Sequence, residues 1–316
     1  MLQVGIVGLA NVGKSTLFNA LLKKQQALVA NYPFATIEPN IGIVPVPDER
    51  LEKLADSIAS LQNDVRPPII PATVKFVDIA GLVKGASQGA GLGNKFLSHI
   101  REVDLICEVV RDFNDENIIR EGSVSPKDDI ALIKTELELA DLDAKEGAFP
   151  LAKKPIIYVF NVSYDKLDPI ASLQDDVIKI DAKVESELAG FSDEEQKELL
   201  NSYGMEEPGL NRLIKKAYEM LGLISYLTAP DSAKASPGKG WEIRAWTIKN
   251  GTKAPQAAGV IHTDFEKGFI KAEVVDYEDF IKYNGWQGAR QNGKARIEGR
   301  DYIVKDGDVI EFKVNA

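Results

Sequence analysis

The sequence is poor in cysteine, histidine, long apolar runs and positive charge. Its one cysteine, Cys107, cannot form an internal disulfide, which fits a reducing compartment. It lies in the apolar stretch DLICEVV and reads as a buried small hydrophobe. Two histidines leave little scope for a histidine-based metal centre. No stretch approaches the ~18 apolar residues of a membrane span. The N-terminal MLQVGIVG is too short for a signal peptide and lacks its basic region, so a cytoplasmic protein without a membrane partner is expected. Lys and Arg number 38 against 48 Asp and Glu, a formal charge of −10. That balance argues against a broad electrostatic grip on nucleic acid, and so against DNA as a partner. It leaves a local RNA-facing patch open, although residues 265–313 are nearly balanced in charge.

What the 316 residues do hold is enough for two domains. QVGIVG (3–8), ATVKFVDIA (72–80), VDLICEVV (103–110) and PIIYVFN (155–161) read as strands. Helical patterns at 14–24, 48–62, 95–102, 127–145, 184–203 and 208–222 alternate with them, which predicts an α/β domain with a mostly parallel sheet. APDSAKASPGKGW (229–241) reads as a linker or exposed loop. Beyond it EIRAWTI, GFIKAEVV and DYIVKDGDVIEFKV predict a small α+β module, the last stretch as a hairpin turning at 305–308. The expected boundaries are 1–228 and 229–316.

GLANVGKST (8–16) carries the phosphate chemistry. It follows an apolar strand and opens a helix, the setting of a P-loop. Its glycines let main-chain amides turn onto phosphate oxygens, with Asn11, Val12, Gly13 and Thr16 in the loop and helix start. Lys14 reaches the β- and γ-phosphates, and the Ser15 hydroxyl suits Mg²⁺. A Gly-rich structural turn would not need Lys14 and Ser15 together. DIAG (78–81) ends a later strand. Asp78 there belongs to the Mg²⁺ shell and the Gly81 amide to the γ-phosphate. Between the two motifs, Thr36 stands where a hydroxyl would complete the metal shell, unless it is an ordinary loop threonine. The glycines of GLVKGASQGAGLGNKF suit either an order–disorder switch or merely a long loop.

The base-reading loop is the anomaly. YVFNVSYDKL (158–167) has Asn161 after an apolar strand, but Val162 and Tyr164 stand where a guanine reader has Lys and Asp. A carboxylate accepts both N1–H and the 2-amino group of guanine, and gains nothing from adenine N1. Asn161 and Val162 would therefore offer main-chain groups and apolar packing to adenine, with Ala182 and Lys183 of IDAKVE as a second base loop. Asn161 also suits a simple strand-end cap.

These motifs, with NYPFATIEPNIGIVPVPDERL, FVDIAGLVKGASQGAGLGNKFLSHIRE, RAWTIKNGTKAPQAAGVIHTDFEKGFIKAEV and EGRDYIVKDGDVIEF, resemble the YchF family of Obg-like ATPases over most of the chain. The resemblance implies a P-loop domain followed by a β-grasp TGS domain. It also implies slow, Mg²⁺-dependent hydrolysis of ATP, and a ribosome, through its RNA or protein, as partner in translation or stress control. Asn11 matches a position that helps bind K⁺ in some relatives. The chain departs from the pattern in three places. The family's helical hairpin is shortened to one helix near 123–152. Leu82 follows Asp-x-x-Gly where many GTPases have a water-orienting Gln. Arg120, in NIIREG, replaces the family's hydrolytic His and could act only by stabilising charge, unless it is a solvated loop residue. Tyr164 departs even from the family's Asn-x-x-Glu. A non-hydrolysing ATP-binding module and a ribosomal GTPase remain the alternatives.

Overall fold

The structure is a computed structural model. It describes residues 2–31, 40–61, 65–79, 91–115, 125–142, 144, 147, 149–163, 177–188, 191, 193–202, 204–231 and 241–315. Thr36, Gly81, Leu82, Arg120, Tyr164 and most of the Gly-rich loop before residue 91 lie outside these, as does the core of the expected linker, 232–240.

In chain order the elements begin β1 (Gln3–Val7), α1 (Lys14–Asn31), β2 (Ile41–Pro45), α2 (Glu49–Leu61), β3 (Ile69–Ile70) and β4 (Thr73–Asp78). They continue α3 (Gly91–Glu102), β5 (Leu105–Asp112), α4 (Pro126–Leu142), β6 (Ile156–Val162), β7 (Val177–Ile180), α5 (Ala182–Leu188), α6 (Asp193–Ser202) and α7 (Gly209–Met220). The remainder are β8 (Leu223–Thr228), β9 (Ile243–Lys249), α8 (Ala254–Ile261), α9 (Thr263–Lys267), β10 (Phe269–Val275), α10 (Tyr277–Lys282), α11 (Gly285–Gln291), β11 (Arg296–Glu298) and β12 (Val309–Val314).

The chain divides into two compact units, Met1–Pro45 with Val74–Leu221, and Val46–Thr73 with Gly222–Ala316. The first holds a six-stranded sheet in the order β2-β4-β1-β5-β6-β7. β1 pairs in parallel with β4 and β5, and β6 in parallel with β5 and β7. The central strands are apolar on both faces, as a covered parallel sheet requires: Val4, Ile6, Val7, Leu105, Ile106 and Cys107 are fully buried. Packing around β1 is tight enough that a Cβ on Gly5 would lie 2.7 Å from Ile79. The order puts the C-terminal ends of β1, β5 and β6 side by side, where an open α/β sheet takes its ligand.

The second unit differs from the expected 229–316. Its sheet runs β11-β10-β12-β8-β9-β3. With β8 and β9 antiparallel and β12 parallel to β8, the last five-strand portion is a β-grasp. Alanines of α8 (Ala254, Ala257 and Ala258) pack on Tyr226, Phe269 and Ile310, and the Tyr226 hydroxyl donates to Ala257 O at 2.9 Å. Residues 46–73 add α2 and an edge strand, β3, paired with β9 through Ile69 and Ile70. Leu51, Leu54, Ala55 and Ile58 give α2 one buried face. Such a face marks a helix that packs, but carries no signal of which sheet it covers.

Two expected elements change. The hairpin over 301–314 does not form, since only 309–314 is a strand and Ile303 makes one isolated bridge to Lys253. Asp308 is the physical cause. Its buried carboxylate accepts from the Tyr302 hydroxyl at 2.7 Å and the Lys305 amide at 2.9 Å, closing a local turn. The expected helix 184–203 is two, α5 and α6, with Gly190 between them in sequence. The single helix expected between β5 and β6 is α4; a 3-10 turn, Leu151–Lys153, leads from it into β6, its amides Leu151 N and Ala152 N held by the Asp141 carboxylate.

Candidate nucleotide site

A cavity of about 610 Å³ opens at the ends of β1, β5 and β6. Asn11 and residues 13–16 line it from the P-loop, 161–163 from the end of β6, 181–183 from the start of α5, and 113–115 from beyond β5. The first three groups are the ones the sequence marks. The fourth it does not, although the switch from the apolar ICEVV to the polar RDFND marks where a buried strand emerges.

At the phosphate end the chain turns sharply. Gly13 has φ +100°, and a Cβ there would sit 2.2 Å from the Asn161 side chain; a Cβ on Gly8 would sit 2.5 Å from Val109 O. Asn11 has φ +60°, a left-handed conformation that asparagine tolerates. The Leu17 amide donates to Gly13 O at 3.0 Å as α1 begins, so the first amides of the helix face the cavity mouth. Ser15 and Thr16 are exposed there. Lys14 is buried, and its ammonium donates to Leu9 O at 2.6 Å. Burial lowers its pKa, and the nearby Asp78 carboxylate opposes that shift; Asp78 is raised by burial and lowered by Lys14. In both groups desolvation outweighs the attraction, so a cation and an anion stand close together and short of solvation. The oxygens of Ser15 and Asp78 are the hard donors that Mg²⁺ takes.

At the base end the side chains are committed to architecture. Asn161 is 7% exposed. Its Nδ2 donates to Val12 O at 2.9 Å, and its Oδ1 accepts from Ala182 N at 3.1 Å. One amide thus ties the P-loop, 149 residues earlier, to the second base loop, 21 residues later. Asp181 is likewise engaged: its Oδ1 accepts from Lys183 N at 2.9 Å and Val184 N at 3.1 Å, capping α5. Val162 is buried. Asn161 is therefore more than a strand-end cap.

The other sequence candidates fall into place. Cys107 is fully buried, its thiol pushed up to about 12 by that burial. His99 is on the exposed side of α3. Trp241 and Trp286 are core residues, and the partly buried Trp246 donates from Nε1 to the Thr228 hydroxyl at 3.0 Å. Among the described residues, no three His, Cys, Asp or Glu side chains cluster as a metal site would need, and no helix is long and apolar enough to cross a membrane.

Comparison with known proteins gives a consistent picture. The family model of 50S ribosome-binding GTPases matches residues 3–162, and that of the YchF GTPase C-terminal region, described as a protein of unknown function, matches 223–315. The ribosome-binding ATPase YchF of Bacillus subtilis is 44% identical over 380 aligned positions, covering 100% of both chains. Its namesake in Haemophilus influenzae is 45% identical, covering 99% of both. The solved structure of the Schizosaccharomyces pombe YchF GTPase superposes with a TM-score of 0.80 at 34% identity, covering 99% of this chain and 97% of that one. An alignment of 380 positions leaves at least 64 without a residue among the 316 of this chain, so the relatives carry segments it lacks. With identity at this level from end to end, and the second unit matched as well as the first, the chain belongs to the YchF family.

Proposed function

We propose that the protein is an ATP-hydrolysing switch that binds the ribosome. The feature that carries the choice of nucleotide is in the sequence: Tyr164 and Val162 stand where a guanine reader has its carboxylate and lysine, while Asn161 is spent on Val12 O and Ala182 N. Asp181 Oδ1 accepts from the Lys183 and Val184 amides, which holds the second base loop in shape. What the loop at 161–163 offers a base is its main chain and the apolar Val162, which suits adenine. The bacterial relatives are named ribosome-binding ATPases, which supports the same reading. The fission-yeast relative is titled a GTPase, and the alternative it represents is a guanine-binding switch.

In the proposed reaction the amides at the start of α1 and the Lys14 ammonium hold the β- and γ-phosphates. Lys14 stands ready for this because it is already desolvated. Ser15 and Asp78 fit Mg²⁺, with Thr36 as a further oxygen; the ion neutralises phosphate charge when bound. Asn11 is assigned to K⁺. The Gly81 amide is assigned to the γ-phosphate, and Arg120 to the charge that develops on it. Hydrolysis resets the segments around Thr36 and Gly81, which gate the ribosome contact. The β-grasp unit is the surface assigned to ribosomal RNA or protein, in the cytoplasm. Release of phosphate from ATP by the purified chain, with ribosome co-sedimentation read in the same samples, tests this. Mg²⁺-dependent turnover with ribosomes pelleting the protein is expected; ATP bound but never cleaved would leave a non-hydrolysing module.

A further inference from the structure

The wall of the cavity at residues 113–115 needs a means of holding its shape. It is the short segment Phe113-Asn114-Asp115, with Asn114 and Asp115 exposed. Arg111, two residues earlier and 4% exposed, supplies one. Its Nε donates to Phe113 O and its Nη2 to Asp115 O, each at 3.3 Å, and its guanidinium carbon lies 4.4 Å from the centre of the Phe113 ring. A single planar group therefore holds the first and third carbonyls of the segment and one face of its aromatic ring. Lysine has neither the fork nor the plane to do all three. Arg111 is also the register partner of Asn161 across β5 and β6. Neighbouring positions in the sheet thus carry the side chain that ties the P-loop to the second base loop and the side chain that shapes the remaining wall.

We infer that Arg111 is a positioning residue for the nucleoside half of the ligand, acting through Phe113, Asn114 and Asp115 without itself touching nucleotide. The phosphates are accounted for by residues 8–16. The cavity lining left for the base and sugar is 161–163, 181–183 and the segment that Arg111 shapes. This rests on the cavity being the nucleotide site, and the test separates the two ideas.

The dissociation constants of ATP and of inorganic tripolyphosphate are measured for the native full-length chain, Arg111→Lys and Arg111→Met, with melting temperatures alongside. Native protein is expected to bind ATP more tightly than tripolyphosphate. In both variants ATP affinity falls about tenfold, the scale of one lost guanidinium contact set, while tripolyphosphate affinity stays at the native value. Equal affinity of the native chain for the two ligands would sink the nucleotide-site reading itself. Native discrimination that survives unchanged in the variants would sink the role of Arg111 alone, even if their melting temperatures drop. Should Arg111→Met not fold, Arg111→Lys carries the measurement. Phe113→Ala supplies a further arm: with the ring contact already gone and the two carbonyl bonds kept, placing Arg111→Lys on it should cost less ATP affinity than it does on the native chain, and a fully additive loss overturns the proposed route through the ring.

Discussion

The two ends of the nucleotide cavity are built on opposite principles. At the phosphate end, charged groups are held short of solvation: Lys14 is buried with its ammonium on Leu9 O, and Asp78 beside it is likewise desolvated. At the base end, side chains point into the fold. Asn161 and Asp181 use their polar atoms on Val12, Ala182, Lys183 and Val184. Phosphate chemistry needs particular charged groups and so fixes residue types. Adenine can be read by main chain, which any residue supplies, so there the side chains are free to hold the loops.

Substitutions at the two ends should therefore fail differently. The largest effect is expected from Lys14→Ala. Turnover of ATP should fall by about 100-fold or more, as when a transition-state donor is removed. The melting temperature should change little, because relief of a desolvated cation offsets the loss of its bond to Leu9 O and of its attraction to Asp78; a large loss of stability would break the contrast. Asn161→Ala should do both kinds of harm. It leaves Val12 O and Ala182 N without that partner, at a cost of about 2 kcal/mol in unfolding free energy, and loosens ATP binding about tenfold by titration calorimetry.

A third substitution probes a buried carboxyl that does not line the cavity. Glu108 on β5 is 2% exposed, with Oε1 lacking a hydrogen-bond partner among the described residues. Burial, with Asp129 adding to it, pushes its pKa up to about 8. A carboxyl raised in the folded state is protonated there while the unfolded chain has already released its proton, so the native state loses stability as pH rises from about 4.5 toward 8. In Glu108→Gln that slope should flatten. The variant should gain roughly 2 kcal/mol on the native chain between pH 5 and pH 8, measured by urea unfolding. An unchanged slope would remove Glu108 as its source. The smallest effect is expected from Tyr164→Asp, which returns a carboxylate to the guanine-reading position without the lysine at Val162. GTP should gain on ATP by less than about tenfold in competition, and no gain at all would mean that the loop no longer presents that position to a base.

The same asymmetry sets what the sequence discloses. Gly8, Gly13, Lys14, Ser15 and Asp78 announce themselves because phosphate and metal admit few substitutes, and the alternation of strands and helices made the parallel sheet legible. Arg111 and residues 113–115 stay hidden, since an arginine after a strand has many uses and only packing shows which carbonyls it holds. Residues 48–62 read correctly as a helix, yet the membership of 46–73 in the second unit depends on β3 pairing with β9, a contact between residues 69 and 243 that no local pattern encodes. The missing hairpin is the converse case. YIVKDGDVIEF alternates as a hairpin should, but the Asp308 carboxylate closes the turn on Tyr302 and Lys305 and leaves only one strand to enter the sheet.

The central claim is that the base is read by main chain and is adenine. Competition between labelled ATP and GTP for the purified protein, in Mg²⁺ and at one salt concentration, tests it most directly. ATP should displace GTP at the lower concentration, and GTP binding tighter than ATP by tenfold or more would contradict the account.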